Sequence, residues 1–559
     1  MKKFKIILLL AVGTVIFVSC KKFDNMLTNP STPAPEAANV DFYLNAAQLS
    51  VANFYANQST TPGLNENGNE LMRMEYAPSR TYLDLYGETG QDGAWRSAYQ
   101  GVFKSVDALI PIAQRTNRHL HIGMARVLKA YVAATLVDFF GDVPYSEANL
   151  GSENTNPKLD PGKQVYDSVF KLLDSSIASF NRVVAGTPLP ANDLFYGGNA
   201  TAKAASWRRA AKTLKLKLYN QVRLVDNTVK GKIDALITDG ELITTDAQAF
   251  IYRYGSKNQN PDSRHPEFAT YYTGTGAQDY LGNHFMYTVF VEKGRGFDPR
   301  WRYYFYRQIN DVLAVPQSTL ECKGSPRPPH YPANVAFCFP DDAGFYGRDH
   351  GNDRGIPPDN FLRTVWGIYP VGGKFDNSEA TGVKITDGGQ GQGILPIWQP
   401  AFTDFVRAET ALILGTAGNA RSLLESAVNK SIKTVMDFPA TVGVTVPANR
   451  VPTAAAIQAY VDFVLQAYDA ATTNADKLNV IMKEYYIALW GNGIEAYNNY
   501  RRTGMPRNMQ PNLNPTPGPF LRSLFYPATF TERNSNVTQK TATNTKVFWD
   551  NNPDNIFVN

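Results

Sequence analysis

The chain has 559 residues, 55 Lys and Arg against 50 Asp and Glu, a net charge of +5 and three cysteines. That length allows two or three ordinary domains or one large one, and 12% aromatic with 19% charged residues exclude a wholly disordered chain. So small and dispersed a charge excludes a nucleic-acid binder, which needs a concentrated basic face, and three cysteines exclude a multi-disulfide scaffold.

The chain starts with Lys2, Lys3 and Lys5, followed by an uncharged apolar run from Ile6 to Val18 that closes on Ser19 and Cys20. A basic start, an apolar stretch of about 13 residues and a small residue at its end read as an export signal over residues 1–19. The stretch is shorter than the roughly 20 residues a membrane helix needs. Cys20 after Ser19 resembles a bacterial lipobox, in which the thiol is diacylated and becomes the first residue of the mature chain. Phe17 stands where that pattern usually has Leu, and an ordinary signal peptide ending in Cys is the alternative. Residues 20–38, with Pro30, Pro33 and Pro35, read as an extended tether between a lipid and a globular body.

Apolar residues at helical spacing predict helices over 40–56 (Asn39 as N-cap), 95–115 (kinked or ended early by Pro111), 119–140, 165–183 and 202–225. Further helices are expected over 400–414, 417–435, 454–471 and 475–490. By length and spacing these make four antiparallel pairs like tetratricopeptide hairpins with variable loops. Residues 237–396 are different in kind: rich in Gly, Pro, Tyr and Asp, with strand-like pieces at 250–254 and 287–291. The expectation is a mainly α fold, one domain over 39–559. Its helical scaffold spans 39–236 and 397–500 and carries an irregular region, 237–396, and a tail, 501–559. Long loops on a rigid scaffold suit binding.

Cys322 and Cys338 flank a proline-rich stretch. An exported chain meets oxidising conditions, so a disulfide is expected there. It would close a loop of about 15 residues, worth about 3 kcal/mol in the chain-entropy model; two cysteines alone do not make a zinc site.

The sequence has no zinc-protease His-Glu-x-x-His, no Gly-x-Ser-x-Gly elbow and no phosphate loop, and no catalytic residue or cofactor is assigned. The loop 341–363 carries Asp341, Asp342, Tyr346, Arg348, Asp349, His350, Asn352, Asp353 and Asp359. Three readings stand: a polar loop bonded to itself, a ligand-contacting loop, or a Ca²⁺ site, although EF-hand spacing is missing. Rings in loops present flat apolar faces beside polar groups, as sugars or peptides require. Tyr82, Tyr86, Trp301, Tyr346, Arg348, Asp349 and Trp366 are therefore the candidate ligand contacts; rings that merely pack loops onto the scaffold are the alternative.

Four passages together resemble one family. They are the lipobox ending in Cys20; ARVLKAYVAATLVDFFGDVPYSEA over 125–148; FVRAE over 405–409; and IMKEYYIALWGNGIEAYNNYRRTGMP over 481–506. In order and spacing the chain is similar to the SusD/RagB nutrient-binding outer-membrane lipoproteins of Bacteroidetes. The resemblance implies a lipid-anchored outer-membrane protein without catalysis. It would lie over a SusC-type TonB-dependent channel, capturing an oligosaccharide or other nutrient and passing it on. The Glu495–Arg502 stretch departs from the better-known branch, so glycan specificity does not carry over. Arg407, Glu409, Glu495 and Arg501 are expected to form ion pairs between helices. A secreted polysaccharide hydrolase and a structural surface protein are the competing readings.

Overall fold

The computed structural model describes residues 39–56, 63–311, 321–339, 343–354 and 359–559. The export signal, Cys20, the tether, Asp341 and Asp342 lie outside them. Helix α1 (Val40–Tyr55) starts where the Asn39 side chain accepts the Asp41 N–H at 2.9 Å, the usual way of satisfying an orphan donor of the first turn. Helix α2 (Leu64–Leu71) is short. After one turn of helix at Tyr82–Tyr86, a longer helical run begins at Asp92, passes through a π-helical turn at Ser97–Phe103 and continues as α3 (Lys104–Arg115). Pro111 lies inside α3 without ending it, since its fixed φ is itself helical.

Then follow α4 (His119–Phe140), α5 (Gly162–Phe180), α6 (Ala200–Gln221) and α7 (Val229–Asp239). Helix α8 (Asn283–Phe290) lies within the irregular region, and after that region come α9 (Pro400–Leu414), α10 (Ala420–Thr441), α11 (Ala454–Ala470), α12 (Asn474–Ala488) and α13 (Gly493–Thr503). Helix α4 is buried on nearly every face, with α1 and α3 against it on one side and α5 on the other. It is apolar enough to cross a bilayer, but it is the core helix of this scaffold. Helix α6 packs on α5, α10 packs between α9 and α11, and α12 closes against α9. The fold is thus mainly helical, with few short strands.

Helices α2 and α13 cross closely, and a Cβ on either Gly68 or Gly493 would meet the other helix's backbone at 2.3 Å. The crossing therefore requires glycine on both sides.

Strand β1 (Phe250–Arg253) pairs antiparallel with β4 (Ile394–Trp398), and β2 (Phe305–Tyr306) with β3 (Val365–Trp366). The strand-like piece at 287–291 is not a strand: it belongs to α8. Phe285, Met286, Thr288, Val289 and Phe290 are all buried there, and periodicity alone does not separate a short apolar strand from a fully buried helical turn.

The ion-pair expectation holds for two of its four residues. Glu409, fully buried, accepts from Arg223 Nη2 (2.8 Å), Arg502 Nε (2.9 Å) and Arg502 Nη2 (2.7 Å), and Glu495 pairs with Lys217 at 2.6 Å. Arg501 is held instead by the Arg522 carbonyl at 2.6 Å and by the rings of Tyr497 and Trp549, 3.9 and 4.7 Å away. Arg407 Nε is buried without a hydrogen-bond partner.

Asp138, fully buried in α4, accepts from Tyr166, from Asn498 Nδ2 (3.0 Å) and from the Trp549 indole N–H (2.9 Å). The tail is further fixed by Arg522, which bonds Asp550 (2.5 Å) and Asp554 (2.6 Å).

Acidic side chains gather beneath β3. Glu75 accepts from Trp366 Nε1 (3.1 Å) and Asn69 Nδ2 (3.0 Å), and its carboxyl meets that of Glu267. Both are buried, with Glu66, Glu70 and Asp279 close enough to repel them. Burial first, then this repulsion, pushes Glu75 up to about 8 and Glu66 to about 7; burial pushes Asp279 to about 6.

Candidate ligand-binding cleft

A sulfur–sulfur bond of 2.04 Å joins Cys322 to Cys338. The loop it closes has no regular structure beyond one short helical turn, and it is fastened to the tail. Tyr331 donates its hydroxyl to the Pro511 carbonyl (2.9 Å), and His330 Nε2 lies 2.9 Å from the Asn512 carbonyl.

Between this loop and residues 351–354 lies a cleft of about 330 Å³. Pro326, Pro328 and Phe337 form its apolar side; Asn352, Asp353, Arg80 and Asn514 form its polar side. Arg80 Nε and Asp353 Oδ2 are 2.5 Å apart, with side chains 66% and 34% exposed. An exposed pair of this kind adds at most about 1 kcal/mol to stability, so a ligand that exchanges partners with it meets little resistance. Asn514 Nδ2 donates to the Arg80 carbonyl at 3.1 Å, which ties the tail into the rim. A second hollow of about 450 Å³ lies on the other side of the same loop and shares Cys322, Ser325 and Phe337 with the first.

The candidate contacts chosen from sequence do not face this cleft. All seven side chains are buried, the arrangement expected of rings that pack loops onto the scaffold. Arg348 donates to Asn352 Oδ1 (3.0 Å), and Asp349 accepts the Gln510 amide (2.6 Å) and the Cys338 N–H (3.2 Å), so both brace the cleft wall from behind. Burial holds the Asp349 carboxyl up at about 6, against the lowering effect of those bonds.

Tyr82 accepts from Arg73 Nη2 (3.0 Å) and packs on His350, and Tyr86 donates to Glu70 (2.9 Å). Tyr346 donates to Asp359 (2.7 Å). Trp301 lies under the guanidinium groups of Arg302 and Arg307, and Trp366 stacks on Trp490 with ring centres 3.6 Å apart. These rings are large apolar surfaces that the irregular region uses as its own core.

Asn352 and Asp353 belong to the polar loop singled out in the sequence. Nothing in the sequence marks Arg80, Phe337 or Asn514, which the cleft brings together from three distant segments. Asp359 is committed to Tyr280, Tyr346 and Arg363. Among the described residues no three His, Cys, Asp or Glu side chains gather as metal ligands.

Loops held on a helical scaffold, with an apolar wall facing amides and an exposed ion pair, have the architecture of a binding protein. Two family models match the sequence. One, described as starch-binding and associating with the outer membrane, covers residues 32–314; the other, the SusD and RagB outer-membrane lipoproteins, covers residues 395–553. The chain belongs to the SusD/RagB family of outer-membrane lipoproteins: it is a nutrient-binding protein of the outer membrane and not an enzyme.

Solved structures agree in fold. A SusD homologue from Bacteroides fragilis NCTC 9343 is 16% identical with a TM-score of 0.64, covering 92% of this chain and 99% of that one. A SusD/RagB family protein from Bacteroides thetaiotaomicron VPI-5482 is 17% identical with a TM-score of 0.63, covering 92% and 100%. A chitin-binding SusD homologue from Flavobacterium johnsoniae is 19% identical with a TM-score of 0.60, again covering 92% and 100%. No curated protein sequence matches the chain.

Proposed function

We propose that the cleft between the disulfide loop and residues 351–354 captures an oligosaccharide outside the cell and passes it to a SusC-like TonB-dependent channel. The observation that carries this reading is the composition of the cleft. Amides and one ion pair offer hydrogen bonds in several directions, opposite a phenyl ring and prolines on which a pyranose face can rest. The buried Tyr82, Arg348 and Asp349 then act as supports that keep this wall in one geometry.

Chitin oligosaccharides are the first ligands to try, because a relative of the same fold binds chitin. Titration calorimetry with chitotetraose should give saturable binding that Arg80→Ala weakens about tenfold, the effect of losing one charge-assisted hydrogen bond. Arg80 is exposed, so the variant should fold. Equal affinity in Arg80→Ala would move the site away from this cleft. In the same reading Cys20 carries the lipid, and Cys20→Ala should release the protein from the outer-membrane fraction. Continued sedimentation with membranes would refute that anchor. Recovery of a large β-barrel protein with the affinity-tagged chain is the expected sign of the channel.

A further inference from the structure

A larger cleft, about 730 Å³, lies on a different face, between the helical run from Asp92 to Phe103 and the tail segment 529–534. Its floor is aromatic. Trp95 packs against Tyr99 and Phe530 with ring centres 4.9 Å apart in each case, and the Tyr99 hydroxyl is spent on the Pro144 carbonyl at 2.8 Å.

Of the seven tryptophans, Trp95 alone is not buried, and its indole N–H has no hydrogen-bond partner among the described residues. The rim carries Gln100 and two exposed guanidinium groups, Arg96 and Arg533, neither of them paired with a carboxylate among the described residues. The cleft's one carboxylate, Asp92, is engaged by the Thr529 hydroxyl. The helix beneath takes a π-helical turn at Ser97–Phe103, the turn that carries Tyr99 and Gln100. Such π turns are rare and are frequent at functional sites.

We infer that this cleft is a second binding site, for an acidic oligosaccharide bearing carboxylate or sulfate groups. Trp95 supplies a flat apolar face for a sugar ring, its N–H and the Gln100 amide meet hydroxyls, and Arg96 and Arg533 meet the anionic group in charge-assisted bonds. A peptide that binds by strand addition would need an open strand edge, and among the described residues no strand lines this cleft.

The test uses the full-length mature protein and tetragalacturonate as probe, read by quenching of tryptophan fluorescence, to which Trp95 is the most accessible contributor. Saturable quenching is expected. The exposed-site double variant Arg96→Gln/Arg533→Gln should weaken binding about tenfold or more, and Trp95→Ala should abolish it as judged by calorimetry, while Trp95→Phe retains it. Arg80→Ala should bind tetragalacturonate normally, which separates this site from the first cleft. The inference is overturned if neither tetragalacturonate nor a heparin-derived tetrasaccharide binds, or if neutral cellotetraose binds equally well. It also fails if the double variant binds unchanged, or if hexaglutamate binds more tightly than either acidic sugar, which would assign the cleft to acidic peptides.

Discussion

Replacing Glu409 by alanine should lower the unfolding free energy by about 3–5 kcal/mol, the usual result of removing one partner from a buried charge cluster. Glu409 is fully buried between two arginines and also accepts the Asn220 amide at 2.9 Å. Burial alone would raise its pKa; Arg502 and Arg223 outweigh that and hold the carboxyl at about 2. The variant leaves two buried guanidinium groups without the carboxylate that both of them bond. It also separates elements distant in sequence, because Arg223 follows α6, Glu409 is in α9 and Arg502 is in α13.

Urea denaturation at neutral pH is the measurement, and a loss under about 1 kcal/mol would mean that the cluster relaxes or hydrates. The triple change Glu409→Leu, Arg223→Met and Arg502→Met should recover much of the loss, since apolar replacement of a whole buried cluster is often tolerated. The lowered pKa adds a pH signature. The contribution of Glu409 is present above its unfolded value of about 4.5 and is lost as pH falls toward 2.

The acidic side chains beneath β3 should give the opposite dependence. Glu75 rises from 4.5 to about 8 on folding, so between those values the folded chain binds a proton that the unfolded chain has released. Stability from this group is complete below about pH 4.5 and declines as pH rises toward 8. Glu66 and Asp279, raised to about 7 and about 6, act in the same direction. His265 and His284, lowered to about 3 by burial, work against it below pH 6.5, and Lys293, lowered to about 7, works against it above pH 7.

Comparison with Glu75→Gln isolates the Glu75 contribution. The amide keeps its oxygen for Trp366 Nε1 and puts its NH2 where Oε2 accepts from Asn69, whose own amide has to turn so that its unpartnered Oδ1 accepts instead. Relative to the parent, Glu75→Gln should gain about 2–4 kcal/mol between pH 5 and pH 8, measured by denaturation at each pH. A constant difference across that range would show that Glu75 is ionised in the folded protein.

The helical scaffold was legible in the sequence because each long helix carries its own signals. Asn39, Asn199, Asn419, Thr453 and Thr473 all cap the helices they precede, and apolar spacing marks the bodies. Helix α8 was misread because a fully buried turn has no polar face to reveal its period.

The cleft was the least legible part. A ring in a loop looks alike in sequence whether it faces solvent or the interior, and here Trp366 and Tyr346 stabilise the irregular region by being buried. The residues that do reach solvent, Arg80 and Asn514, are ordinary polar side chains made significant by where the disulfide loop stands. Trp95 opens the helix expected over 95–115 and is not among the candidate contacts, yet it is the tryptophan left partly open.

Asp138 has a consequence for how the molecule is made. Its carboxyl lies in the last turn of α4, but two of its donors, Asn498 and Trp549, arrive more than 350 residues later. Until they do, the Tyr166 hydroxyl is the one hydrogen-bond donor on this buried carboxyl and Lys217 stands 3.9 Å from its second oxygen, which leaves that oxygen short of a hydrogen bond in an apolar surrounding. The early half therefore reaches its final hydrogen bonding only when the rest of the chain has been delivered. For a chain that must cross a membrane in an extended form, this postpones closure until the last segment is through and makes folding and export successive events.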